Sequence, residues 1–368
     1  MKRFVALFIA LILTAQSISA TDIADDAKLK KMIGRMLIIG FEGESIDRNS
    51  KITKEIQKYD LGGVILFDRY YNDKKRTKNI SSPKQLKALT SSIRSFSKEP
   101  LLISVDQEGG RVARLKPAYG FEATPSAKVV SSMDAYMSGR VYDNLARTLE
   151  RAGINCDFAP VVDLALNPKN EVIVKLKRSY SSDPKEVVKY AQILMDSLAK
   201  KQIVSVLKHF PGHGSSLGDS HKGFVDITKT WSEEELYPYI ELIKKDKAKM
   251  IMSAHVFNSK LDDTYPATLS YKVNTKLLRE KLGFKGVIVS DDLQMGAISE
   301  HYTLKQVVTL AINSGVDMLL FANQLSTQDT DELVETIFAQ VKNGAISYER
   351  IKESNERAAL LLKAKKIK

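Results

Sequence analysis

The stretch GVIVSDDLQM (286–295) runs from apolar residues straight into two adjacent acids, Asp291 and Asp292. A strand buried on both faces that stops on carboxylates suits the floor of a reaction site. Two carboxylates that work on one substrate bond stand ~5 Å apart across it, or somewhat further. Successive side chains on a strand point to opposite faces. With Asp291 on the face of Val287 and Val289, Asp292 points away. At most one of the two then attacks, and the other supports it by hydrogen bonding or capping. The competing reading makes both acids caps of the following helix, since Asp is a good N-cap.

A second concentration of chemistry lies in LKHFPGHGSSLGDSHKG (207–223), which holds three of the five histidines of the chain. His209 and His213 are four apart, the spacing of zinc ligands on a helix. Pro211 and Gly212 stand between them and break any helix there, so the spacing loses its geometry. Ser215 to Gly218 reads as a flexible polar loop. Asp219-Ser220-His221 follows, where an acid two residues from a histidine can orient its ring. Histidine gives and takes protons near neutrality, so this pair suits acid–base work. A third stretch, VDQEGGRVARL (105–115), ends a strand on Asp106 and turns at Gly109-Gly110. Asp106 can accept hydrogen bonds from hydroxyls, and Arg111 and Arg114 can donate to an oxygen-rich ligand. The alternative here is a structural Asp–Arg pair. The residues point to no cofactor and no bound metal.

These groups must be brought together by the elements that carry them. Short apolar runs read as strands at 35–41, 62–67, 101–106, 156–162, 204–209, 249–255, 286–291 and 316–321. Helical patterns at 84–97, 134–152, 184–200, 232–246, 271–282, 303–314 and 329–342 lie between most of them. Pro184 suits a first helical turn after Ser182-Asp183, and Gly283 suits a helix end. Eight strand–helix repeats predict an α/β fold, a single (β/α)8 TIM barrel, with an open doubly wound sheet as the alternative. Strand ends at Asp106, Asp163, Lys208-His209, His255 and Asp291 would then share one mouth. A last helix, about 347–366, packs outside the barrel. The chain reads as one domain after a leader.

Residues 1–20 open with Lys2-Arg3, continue apolar from Phe4 to Leu13 and end in small and polar residues, as a secretory signal peptide does. The apolar run is short for a ~20-residue membrane span. The mature chain, 21–368, is therefore expected in the periplasm or outside the cell, without lasting membrane insertion. Cys156 is the only cysteine among 368 residues, so no internal disulfide forms and Cys156 is expected to pack as a small apolar side chain. The formal charge of +12 falls by two with the leader. The basic residues are scattered and match no nucleic-acid-binding motif, which leaves them as solvated helix faces or a mild preference for anionic surfaces.

KHFPGHG with DSH after it, VDQEGGRVARL upstream and SDDLQM downstream together resemble the β-N-acetylglucosaminidases of glycoside hydrolase family 3. GGVILF, GINCDFAPVVDL, MSAHVF and PATLS are similar to further pieces of that pattern in the same order, over roughly residues 30–325. The resemblance implies that Asp291 is the nucleophile, His221 the acid/base and Asp219 its dyad partner. It implies that Asp106, Arg114, Arg178, Lys208 and His209 bind the N-acetylglucosamine ring. NEVIVKLK, just before Arg178, departs from the pattern in lacking a glycine. The implied activity is exo-acting, retaining removal of terminal β-linked N-acetylglucosamine from peptidoglycan fragments by a monomer. A phosphorylase on the same fold and a non-catalytic cell-wall glycan-binding protein are the alternatives.

Overall fold

The computed structural model describes residues 20–220, 223–365 and 367, the first five of them by backbone alone. The leader, apart from the backbone of Ala20, lies outside the described residues, and so does His221. Ten strands follow in chain order: β1 (Leu37–Gly40), β2 (Gly63–Ile65), β3 (Leu102–Val105), β4 (Cys156–Asp157), β5 (Val204–Phe210), β6 (Val225–Asp226), β7 (Met250–Ser253), β8 (Val256–Phe257), β9 (Val287–Ser290) and β10 (Leu319–Phe321).

Eight of them form one parallel sheet in the order β10-β1-β2-β3-β4-β5-β7-β9. A parallel bridge from Val289 to Met318 joins its two ends. The sheet is therefore a closed (β/α)8 TIM barrel, not an open doubly wound sheet. β6 and β8 pair with each other as a small parallel ribbon formed by the segments that follow β5 and β7.

The apolar residues sort by strand parity. Ile38, Ile65, Leu102, Cys156, Val204, Val206, Met250, Met252, Val287 and Val289 pack together inside the barrel. Ile39, Val64, Ile103, Leu207, Ile251 and Ile288 pack outward against the helices. Cys156 is fully buried in the inner layer.

The helices begin where the local chemistry asks. Asp183 accepts from the Lys185 N–H, and Pro184 opens the helix Pro184–Lys200. Such a cap contributes about 1 kcal/mol. Gly283 takes φ 74°, the left-handed conformation that ends the helical segment Lys272–Lys281. Among the described residues four helices were not evident in the sequence: Ala20–Gly34, Lys51–Tyr59, and the single turns Ala127–Val130 and Gly296–Ser299. The second is short, but Ile52, Ile56 and Tyr59 lie on one buried face. The last helix, Tyr348–Ala364, sits outside the barrel. Its Arg350 and Arg357 donate to the buried Asp317 carboxylate at 2.9 and 3.1 Å, close to the start of β10. Among the described residues no helix is long and apolar enough to cross a membrane.

Candidate active site

Parity carries the chemistry to one rim. Leu102 on β3 faces the barrel interior, and Asp106 continues that face past the strand end. Val204 and Val206 on β5 lead in the same way to Lys208. Val287 and Val289 on β9 lead to Asp291. In the sheet β4 stands between β3 and β5, and β7 between β5 and β9, so these three ends lie on alternate strands of one rim.

The Lys208 ammonium lies 2.9 Å from Asp106 Oδ1 and 2.6 Å from Glu108 Oε1. Arg178 grips the other side of Glu108 with Nε and Nη2, each at 2.8 Å. Arg114 Nη2 donates to Asp106 Oδ2 at 3.0 Å. Burial works against the charge on Lys208, but the Asp106 and Glu108 carboxylates outweigh it and hold its pKa above the ordinary value. Burial likewise opposes ionisation of Asp106, and Lys208 with Arg114 overcomes it, so this carboxyl sits well below the usual range. Arg178 also loses by burial and gains more from Glu108.

His209 Nδ1 lies 2.7 Å from Asp163 Oδ2, and its Nε2 lies 3.3 Å from Arg178 Nη2. A guanidinium only donates, so Nε2 accepts and Nδ1 carries the proton toward Asp163. Asp163 Oδ1 accepts the backbone N–H groups of His209 and His213 as well. Three acids (Asp106, Glu108, Asp163) thus face three bases (Lys208, Arg178, Arg114) around the His209 ring. Such a compensated cluster suits an uncharged, hydroxyl-rich ligand. Asp106 and Arg114 are its most open members, with side chains 17% and 24% exposed.

Lys177 takes φ 59° immediately before Arg178. A non-glycine residue therefore occupies a left-handed position in the segment that lacks a glycine. Asn170 steadies the same turn, its Oδ1 accepting from the N–H groups of Val172 and Ile173.

The two aspartates separate as strand geometry requires. Asp291 Oδ1 accepts the Asp292 N–H at 2.8 Å. Asp292 is buried, and its Oδ1 accepts from the N–H groups of Gln294 and Ala322. Its carbonyl lies 2.8 Å from His255 Nε2. Asp292 therefore ties the turn after β9 to the end of β10. The short helix Gly296–Ser299 starts after Met295 with no side-chain cap, so neither aspartate is a helix cap.

His209 lies on β5 and the chain turns at Pro211-Gly212, so His209 and His213 are not helix neighbours. Asp219 stands half-buried on the loop beyond them. The structure thus brings together Asp106, Arg114, Arg178, Lys208 and His209, and sets Asp291 on the same rim. Glu108, which links Lys208 to Arg178, was not singled out in the sequence. The only signal was its position two residues after Asp106. Asp163 was noted only as a strand end, and its role follows from the ring it holds.

A profile described as the glycosyl hydrolase family 3 N terminal domain matches residues 28–361. The chain is similar to beta-hexosaminidase A of Pseudoalteromonas piscicida, 32% identical over 338 residues that make up 84% of this chain and 54% of that protein. It is 36% identical to the beta-hexosaminidase of Tolumonas auensis over 294 residues, 78% of this chain and 82% of that one. Among solved structures it resembles a glycoside hydrolase family 3 beta-N-acetylglucosaminidase from Paenibacillus sp., with TM-score 0.83 and 30% identity over 92% of this chain and 63% of that one. It thus spans about half the length of the Pseudoalteromonas relative and under two thirds of the Paenibacillus one. With a closed barrel, a rim of inward-facing acids and bases and a match over nearly the whole described chain, the protein belongs to glycosyl hydrolase family 3.

Proposed function

We propose that the chain is an exo-acting, retaining β-N-acetylglucosaminidase. The observation that carries this reading is the placement of Asp291 on the inward face of the rim that also holds the Asp106–Lys208–Glu108–Arg178 cluster. Asp106, Arg114, Lys208, His209 and Arg178 would hold the sugar ring. The Asp291 carboxylate would attack the anomeric carbon as the bond to the leaving oxygen breaks, giving a covalent glycosyl–enzyme. His221 would donate its proton to that oxygen, and Asp219 would stabilise the charged ring before this transfer. Neutral His221 would then take a proton from water, which attacks the same carbon and releases Asp291.

The description of the Paenibacillus protein as a beta-N-acetylglucosaminidase supports the acetamido sugar, and the beta-hexosaminidase names of the Pseudoalteromonas and Tolumonas proteins support an amino sugar. The leader pattern of residues 1–20 supports export, and the chain, read as a monomer, would then meet peptidoglycan fragments in the periplasm or outside the cell. The test is release of p-nitrophenol from the β-N-acetylglucosaminide and from the β-glucoside, followed by defined peptidoglycan fragments with products and anomeric configuration tracked in time. Activity on the first aryl glycoside, retention of configuration and loss of most turnover in Asp291→Ala and His221→Ala are expected. Equal rates on both aryl glycosides would refute the acetamido specificity, and a fully active Asp291→Ala would refute the nucleophile.

A further inference from the structure

The loop that follows β5 must place His221, and it is held along much of its length. One residue before His221, the Ser220 carbonyl accepts the Ala297 N–H at 3.2 Å. That bond joins the loop to the segment that follows Asp291. The Ser220 hydroxyl lies 3.4 Å from His213 Nε2, and His213 Nδ1 lies 2.8 Å from the Ser216 hydroxyl. Beneath this ring, buried Glu235 accepts twice: from the Gly214 N–H at 3.1 Å through Oε2, and from the Ser215 hydroxyl at 2.6 Å through Oε1. Glu235 stands on a short 3-10 turn, Glu233–Leu236. Trp231, just before that turn, donates its indole N–H to the Pro211 carbonyl at 3.0 Å.

The fit leaves no slack. Gly212 takes φ 122°, and a Cβ there would come within 2.6 Å of Glu235 Cβ. A Cβ at Gly214 would come within 1.7 Å of the Leu164 carbonyl oxygen. The 211–216 turn is therefore pressed between the chain after β4 on one side and Glu235 on the other.

We propose that Glu235 is a positioning residue for the acid/base: its carboxylate holds the Gly214–Ser215 turn and, through His213 and Ser220, sets where His221 stands relative to the Asp291 loop. This inference rests on the reading of His221 as the acid/base. A carboxylate offers an acceptor to both donors at once. A glutamine in its place has one acceptor oxygen and an NH2 group that cannot accept from Ser215. Glu235 itself reaches no reacting atom, so its loss should show in proton donation and not in sugar binding.

The experiment, run at pH 8 so that the Glu235 carboxyl, which burial lifts to about 7, is ionised, compares kcat/KM for two β-N-acetylglucosaminides, one with a 2,4-dinitrophenyl leaving group and one with a second sugar. The first departs without a proton and the second needs one. Glu235→Gln is expected to lose about tenfold or more on the disaccharide and to stay within about twofold on the aryl glycoside. Ser215→Ala, which removes one of the two donors, is expected to show the same pattern more weakly, and it carries the test if Glu235→Gln does not fold. Equal losses on both substrates, or no loss in a folded variant, would overturn the proposal. His221→Ala is the reference. If it shows strong leaving-group dependence while both clamp variants do not, the positioning role alone is refuted. If His221→Ala shows none, the acid/base reading fails and takes the inference with it.

Discussion

Glu108→Gln removes one negative charge from the rim cluster while keeping the side chain's shape. In the native protein this carboxylate takes two hydrogen bonds from Arg178 at 2.8 Å and lies 2.6 Å from the Lys208 ammonium. All three side chains are at least nine-tenths buried. Lys208 keeps Asp106, and Arg178 keeps the Val172 carbonyl and His209. What is lost is the acid shared by two buried cations. Breaking a buried ion pair from one side costs ~3–5 kcal/mol, and the partners that remain place the expected loss near the lower end. Urea unfolding should therefore show a midpoint lowered by ~3 kcal/mol of stability at an unchanged slope.

A double-mutant cycle with Arg178→Met isolates the pair, because the second mutation removes the cation that the first leaves unpaired. The coupling should be ~3 kcal/mol for Glu108–Arg178. It should be ~1 kcal/mol or less for Asp106–Arg114, whose side chains are more open to water. A Glu108–Arg178 coupling no larger than that of Asp106–Arg114 would refute the claim that burial makes this pair the anchor of the rim.

Asp163→Asn should lower kcat/KM by ~100-fold with KM rising, because the amide no longer holds one tautomer and orientation of His209; unchanged kinetics would show that this histidine needs no orienting. Asp292→Ala should cost ~2–4 kcal/mol by leaving the Gln294 and Ala322 N–H groups without their acceptor, and Asp292→Asn, which keeps an acceptor, should cost less; chemical unfolding of the two variants decides. Burial lifts the Glu235 carboxyl from 4.5 to about 7, with Asp163 adding to the shift. Its folded pKa lies above its unfolded one, so its contribution is fully present below about pH 4.5 and lost as pH rises through about 7. The difference is ~3 kcal/mol between these limits. Unfolding at pH 5 and pH 8 should show wild-type stability falling more steeply with pH than that of Glu235→Gln, and equal slopes would refute the assignment.

The barrel was legible because its strands are short apolar runs at regular intervals. All eight predicted barrel strands are found, most of them trimmed by a residue or more. Lys51–Tyr59 was not legible, since nine residues offer barely two turns of periodicity. At the site, the residues carried by motifs (Asp106, Lys208, His209, Asp291) were visible as strand ends. Glu108, Asp163 and Glu235 were not assigned roles. Their partners lie at Arg178, His209 and Ser215, up to seventy residues away in the chain, and only the tertiary fold brings them near.

The two adjacent aspartates show the limit most sharply. Alternation along a strand needs no tertiary knowledge, and it was enough to deny them a shared substrate. It could not say what the second acid does, because a strand's parity names a face and not a partner. The partner of Asp292 is the Ala322 N–H at the end of β10, thirty residues on and adjacent only once the barrel closes between β9 and β10. Asp291 then inherits a backbone held from both sides, with its own N–H bonded to the Ser253 carbonyl at the end of β7. A side chain at such a point is carried on three strand ends at once, so, on the proposal that Asp291 is the nucleophile, Asp292→Asn should lower kcat with KM little changed, and steady-state kinetics that show KM alone altered would refute this.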